Sequence, residues 1–191
     1  MATGSSGSSR SPSARSARPE VSVLRVGHRP GRDPRLTTHV ALAARAFGAK
    51  RMFLHPRDDA LAERLAAVTH RWGGDFAVVP ADDWKSVVRS FPGAVVHLTM
   101  YGLPLERCLP RLRRASQVLL VVGGAKVPPE LYRRATHNVA VGHQPHSEVA
   151  AVAVVLERLL GLPKPARPGT ARQRIVPSAR GKRVVGGRVR P

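Results

Sequence analysis

An α/β fold, with a mostly parallel sheet and helices on both of its faces, is predicted by three features of the sequence. Short runs rich in Val, Leu and Ala recur between residues 21 and 162, and they are apolar throughout rather than alternating. Stretches with helical spacing separate them. Strands buried on both faces and joined by helices are what a parallel sheet needs. The third feature is quantity: 42% of 191 residues are apolar, enough for the core of one ordinary domain plus tails.

The elements follow in order. Residues 21–26 read as the first strand, and 37–47 as a helix that Thr37 or Thr38 caps. Residues 51–55 form the second strand. Residues 58–72 form an amphipathic helix, with Leu61, Leu65, Val68 and Trp72 on one face. A third strand at 76–80 precedes a short helix at 82–91, capped by Asp82. Strands at 94–100, 117–123 and 138–142 complete a set of about six by the spacing of such units. Helices at 105–115 and 128–135 lie between them. A helix at 147–160 closes the domain, ended by Gly161 and Pro163.

The composition divides the chain into a disordered tail at 1–20, a domain at 21–162, and a linker with a basic hairpin at 163–191. In the last segment, 164–171 has linker composition. Residues 172–176 and 182–185 read as two short strands around a turn at 177–181. A lone hairpin needs a surface to lie on.

The formal charge is +20, from 32 Lys+Arg against 12 Asp+Glu, and nearly all of the basic residues are arginine. Residues 163–191 contain no acid. Such a charge favours a polyanionic partner, nucleic acid before an anionic membrane, and arginine's planar fork suits phosphate. The single Cys108 excludes a disulfide framework or a multi-cysteine zinc site. No apolar run is long enough to span a bilayer, and residues 1–20 lack the apolar segment of a secretory signal. A soluble cytoplasmic protein is the expectation.

In sheets of this kind ligands bind at the carboxyl ends of the strands. Three loops there stand out: His97 to Gly102, Gly123 to Pro128, and Val141 to Glu148. Glycine lets the backbone approach a ligand, and Ser147 before an apolar helix is an N-cap pattern. None matches a known phosphate cradle, and each alone reads more readily as a plain turn. As a group at adjacent strand ends they favour a pocket. His143 and His146 lack further partners for a metal. A fourth loop, after the first strand, carries Arg25, Arg29, Arg32 and Arg35, suited to phosphates or equally to being a solvated basic loop.

At these residues the chain becomes recognisable. The segments Leu24-Arg25-x-Gly-His28-Arg29-Pro30-x-Arg32-Asp33, Thr38-His39-Val40-Ala41-Leu42, Arg45-Ala46-Phe47-Gly48-Ala49, His97-Leu98-Thr99-Met100-Tyr101-Gly102, Val122-Gly123-Gly124-x-Lys126-Val127-Pro128 and Asn138-Val139-Ala140-Val141-Gly142-x-Gln144-Pro145-His146-Ser147-Glu148-Val149-Ala150 closely resemble the archaeal tRNA (cytidine(56)-2′-O)-methyltransferase family of the SPOUT superfamily. The likeness spans about 21–185. It implies a C-terminal deep trefoil knot, a homodimer, and S-adenosyl-L-methionine as cofactor. By motif, the cofactor-binding positions are Leu98, Gly123, Gly124, Ala125, Lys126, Val127, Val141, Gly142, His143, Gln144, Pro145, His146, Ser147 and Glu148. Ala125 stands where an acidic residue is common, and His143 occupies a variable place.

The resemblance implies methyl transfer to the ribose 2′-hydroxyl of cytidine 56 in the T-loop of tRNA. A 2′-hydroxyl is a weak nucleophile, so a nearby group must assist proton loss or steady the developing alkoxide. Related enzymes use an arginine, but their Asn…Arg helix motif is not in register here. One of Arg25, Arg29, Arg32 and Arg35 is the catalytic candidate, with His28 and His39 behind them; phosphate positioning is the simpler role for each. The competing reading is a non-enzymatic basic RNA-binding protein, which predicts no cofactor. Because the last helix is apolar on most sides, Val152 or Val155 is expected to meet a second subunit.

Overall fold

The computed structural model describes residues 18–32, 34–124, 127–162 and 171–186. Most of the N-terminal tail, the linker at 164–170, and Ala125 and Lys126 lie outside the described residues. The element order is β1 (Glu20–Val26), α1 (Pro34–Ala46), β2 (Arg51–Leu54), α2 (Asp59–Trp72), β3 (Ala77–Pro80), α3 (Trp84–Ser90) and β4 (Ala94–Pro104). It continues with α4 (Leu105–Leu112), β5 (Gln117–Gly123), α5 (Pro129–Arg134), β6 (His137–Ala140), α6 (Glu148–Leu160), β7 (Gln173–Ile175) and β8 (Val184–Gly186).

The six strands β1 to β6 form one sheet in the order β3-β2-β1-β5-β4-β6, parallel at every pairing. Alternate strand residues point to opposite faces, which splits the apolar core in two. On one face Val21, Val23, Met52, Val96, Leu120 and Val122 pack against α1, α2, α4 and α6. On the other, Leu24, Val95, Leu119 and Val121 pack against Trp84 and Val88 of α3 and Leu131 of α5. The expected α/β architecture with helices on both faces is present. The short strands β7 and β8 pair antiparallel, with Arg174 opposite Val185.

Several expected boundaries move, each for a physical reason. Helix α1 begins at Pro34, not at Thr37, because proline's fixed φ suits the first turn of a helix. Thr37 and Thr38 are therefore inside α1 rather than caps: Thr38 Oγ1 donates to the Pro34 carbonyl at 2.7 Å. Asp83, not Asp82, caps α3, accepting from Lys85 N and Ser86 N; this puts Trp84 and Val88 on the inward face. Strand β4 does not stop at Met100. It runs on to Pro104, with a register shift in which Leu98 and Leu103 both oppose Val139. Gly102 is needed there, since a Cβ would come within 2.5 Å of the Asn138 backbone.

The expected subunit contact through Val152 or Val155 is corrected. Both are fully buried with Leu156 in the chain's own core, where α6 packs against α1 and α4. Of the large apolar residues on α6, Val154 is the one left substantially open, at 40%.

Candidate functional site

Strands β5 and β4 are neighbours in the sheet, and their carboxyl ends open into a cavity of about 500 Å³. Its walls come from three loops and two helices. Strand β4 contributes His97 to Tyr101, the β5 end contributes Val122, Gly123 and Gly124, and Val127 follows. Tyr132 of α5, His146, and Glu148 and Ala151 of α6 close the remaining sides. The volume is that of a small-molecule site. A cavity of about 480 Å³ beside Glu20 and Gln117 lies at strand starts, the end of such sheets where ligands are not expected.

Of the expected cofactor positions, Leu98, Gly123, Gly124, Val127, His146 and Glu148 line this cavity. Val141, Gly142, His143, Gln144, Pro145 and Ser147 do not line it, though they form the segment between β6 and α6 that carries His146 to its wall. His143 Nε2 donates to the Gly102 carbonyl at 3.2 Å, holding that segment on the β4 extension. Ser147 Oγ accepts from Ala150 N at 3.1 Å and so caps α6. The two glycines of the β5 turn differ. A Cβ on Gly123 would sit 2.6 Å from Val127 Cγ2, whereas a Cβ on Gly124 would meet nothing within 4 Å. Gly124 therefore leaves open space in the cavity wall where a ligand can approach the backbone.

His97, Thr99 and Tyr101, within the His97 to Gly102 segment expected to border a pocket, also line the cavity, as does Tyr132, which the sequence did not single out. His97 is 1% exposed; its ring meets Tyr132 edge-on at 4.6 Å, and its Nδ1 lies 2.9 Å from Asn138 Oδ1. Burial pushes the imidazole below its ordinary range, against the opposing pull of the Asn138 hydrogen bond. The Tyr132 hydroxyl lies 2.9 Å from Thr99 Oγ1. The signal for Tyr132 was weak, since a single tyrosine on a short helix has no periodic context.

The arginine loop leaves β1, which borders β5 with Val26 opposite Gly123, so it flanks the Gly123 turn. Only Arg29 and Arg32 are in the loop itself, for Arg25 belongs to β1 and Arg35 to the first turn of α1, which corrects the expected placement of all four in one loop. Arg25 is fully buried and pairs with Glu148, Nη1 to Oε2 at 3.1 Å. Arg29, Arg32 and Arg35 are exposed. His28 is buried too, with Nδ1 2.8 Å from Thr37 Oγ1 and Nε2 donating to Asp58 Oδ2 at 3.1 Å. Asp58 also caps α2 by accepting from Leu61 N at 2.8 Å. That amide first, and His28 second, hold the Asp58 carboxyl below the usual carboxylate range. His28 thus joins β1 to α1 and α2 inside the protein, while His39 is on α1 and exposed. Arg45 is half-buried, donating to the Gly73 carbonyl at the end of α2.

Residues 72–185 match the model of a family described as tRNA ribose 2′-O-methyltransferase. A tRNA (cytidine(56)-2′-O)-methyltransferase from Archaeoglobus fulgidus is 52% identical over 166 residues, covering 87% of this chain and 98% of the relative. One of the same description from Methanothrix thermoacetophila is 46% identical, covering 86% and 97%. Among solved structures, the SpoU methyltransferase AviRb from Streptomyces viridochromogenes, in complex with the cofactor AdoMet, superposes with a TM-score of 0.52 at 16% identity. That alignment takes in 75% of this chain but 57% of the other, so the likeness is one of fold.

Proposed function

The chain belongs to the tRNA (cytidine(56)-2′-O)-methyltransferase family, and from this we propose that the cavity at the β4 and β5 ends is where its reaction takes place. The protein transfers a methyl group from S-adenosyl-L-methionine to the ribose 2′-hydroxyl of cytidine 56 in tRNA. One observation carries the assignment of the site. Gly124 presents backbone with no side chain to open space in a cavity of about 500 Å³, walled by the same loops that the family motifs occupy.

When bound, S-adenosyl-L-methionine supplies a methyl carbon on a positively charged sulfur, which departs as a neutral thioether. The protein's task is then to hold the 2′-oxygen in line and remove its proton. The loops at Leu98, Gly123 to Val127 and Val141 to Glu148 hold the cofactor, chiefly through backbone groups. Arg29 and Arg32, on the exposed loop beside the Gly123 turn, and Arg35, in the first turn of α1, hold the tRNA phosphates, and one of them faces the 2′-oxygen. Arg25 serves differently: inside the protein, it fixes the start of α6 through Glu148.

Residues 21–162 form the catalytic domain, and the basic segment 163–191 is an arm for tRNA. A twofold homodimer fits the exposed Val154 on α6 and Leu103 on the β4 extension. The family resemblance extends this reading to a knotted C-terminal part, which would include α6 where it leaves the edge strand β6 and packs against α1 and β5. Among the described residues no helix is long and apolar enough to cross a membrane. The cytoplasm, where tRNA is modified, is the proposed location. Charge alone would bind RNA without requiring such a cavity.

Melting with and without S-adenosyl-L-methionine tests the site. A ligand that binds the folded state alone adds about 2.7 kcal/mol of stability at a hundred times its Kd. A raised Tm in the wild type that is absent in Gly124→Val supports the assignment; equal shifts in both place the cofactor elsewhere.

A further inference from the structure

The ring of His97 is held in one protonation state by a chain of hydrogen bonds that ends on a backbone carbonyl. Asn138 Nδ2 donates to the Tyr132 carbonyl oxygen at 2.9 Å. A carbonyl only accepts, so the Asn138 amide can have just one orientation, with Oδ1 turned toward His97. Oδ1 also only accepts, and it lies 2.9 Å from His97 Nδ1. Nδ1 must therefore carry a proton. Because burial keeps the imidazole neutral at neutral pH, Nε2 is left with a lone pair. Among the described residues Nε2 has no hydrogen-bond partner, and His97 lines the cavity. Tyr132 stacked edge-on against the ring fixes its plane.

We propose that His97 is a cofactor-recognition residue whose Nε2 accepts a hydrogen bond from an N–H or O–H of the adenosine part of S-adenosyl-L-methionine, with Asn138 as the positioning residue that keeps Nε2 an acceptor. The proposal rests on the assignment of the cavity to the cofactor. A neutral acceptor sits beside a sulfonium without charge repulsion, which an imidazolium would not, and this favours the cofactor over the tRNA ribose as its partner.

The test needs no variant in its first arm. Protein labelled with ¹⁵N at histidine is titrated with S-adenosylhomocysteine, and the His97 ring nitrogens are followed by NMR. The expected free state shows a protonated Nδ1 and an unprotonated Nε2, and the Nε2 resonance moves upfield as ligand binds. An Nε2 already protonated in the free protein overturns the proposal. So does a shift that appears only after tRNA is added, since that assigns the acceptor to the substrate. In the second arm, calorimetry on His97→Phe, which keeps a ring against Tyr132, should show affinity reduced about ten-fold. Asn138→Asp, whose carboxylate draws a second proton onto the ring, should give a protonated Nε2 and a similar loss. Unchanged affinity in folded His97→Phe refutes the proposal while leaving the cavity assignment standing. Failure of the wild type to bind S-adenosylhomocysteine at all refutes both.

Discussion

Arg25, at the penultimate position of β1, lies 3.1 Å from Glu148, the first residue of α6, in an ion pair whose arginine is fully buried and whose carboxylate is 19% exposed. Glu148 lines the cavity, so the pair links the central sheet to the wall of the site. Replacing the arginine removes a buried charge partner from Glu148, at a cost of about 3 kcal/mol. Arg25→Met should lower stability by that order in urea unfolding and weaken cofactor binding in the fraction that remains folded. Stability equal to the wild type would mean that the pair does not hold α6.

Two glycines near the site should respond in opposite ways. At Gly124 an added Cβ meets nothing within 4 Å, so Gly124→Val should fold and lose cofactor binding. At Gly102 even a Cβ would lie 2.5 Å from the Asn138 backbone, so Gly102→Ala should disturb the β4–β6 pairing and lower the Tm. Circular dichroism with calorimetric binding separates the two outcomes.

Apolar runs and helical spacing in the sequence located all six strands of the main sheet and the helices between them, because burial on both faces leaves a local pattern. Strand order and the β4 extension were not legible. Both depend on pairings such as Leu103 with Val139, which have no signature within the segment itself. The last helix misled: its all-round apolar character suggested a partner subunit, but α1 and α4 of the same chain cover Val152 and Val155. Within the site, the loops marked by glycine and by motif were legible. His97 belongs to one of those loops but was not distinguished from its neighbours as a ligand contact, and Tyr132 lies on a separate helix with nothing in its neighbourhood to single it out.

Asp58 gives the fold an acid sensitivity of known sign. Its folded pKa is depressed by the Leu61 amide and by His28, so its contribution is present above the unfolded carboxyl pKa of about 4. It is lost as pH falls through the lower folded value. Asp58→Ala, which removes the α2 cap, should cost about 1 kcal/mol at neutral pH. It should also flatten the fall in stability below pH ~4. A variant with an unchanged acid profile would remove Asp58 from this role.

Truncation after Leu162 removes nine basic residues and no acid. Every phosphate left unneutralised as a result should reduce the salt dependence of tRNA binding by about 0.7–0.9 log units per log unit of salt. Unaltered affinity and salt slope would show that the segment is not an RNA arm.

If the subunits of a dimer meet across the exposed side of α6, Val154→Glu should yield a folded monomer, whereas Val152→Glu should unfold the chain. Sedimentation and thermal melting of the two variants distinguish a surface position from a core one.

The central claim, methyl transfer from a cofactor held at the β4 and β5 ends to the 2′-oxygen of cytidine 56, is tested most directly by mapping the product. tRNA transcript is incubated with isotopically labelled S-adenosyl-L-methionine and the protein, digested with nuclease, and analysed by mass spectrometry. The predicted result is one labelled methyl on the ribose of cytidine 56, absent with 2′-deoxycytidine at that position and absent with Gly124→Val. Label on a base, label at another nucleotide, or full activity in Gly124→Val would contradict the account.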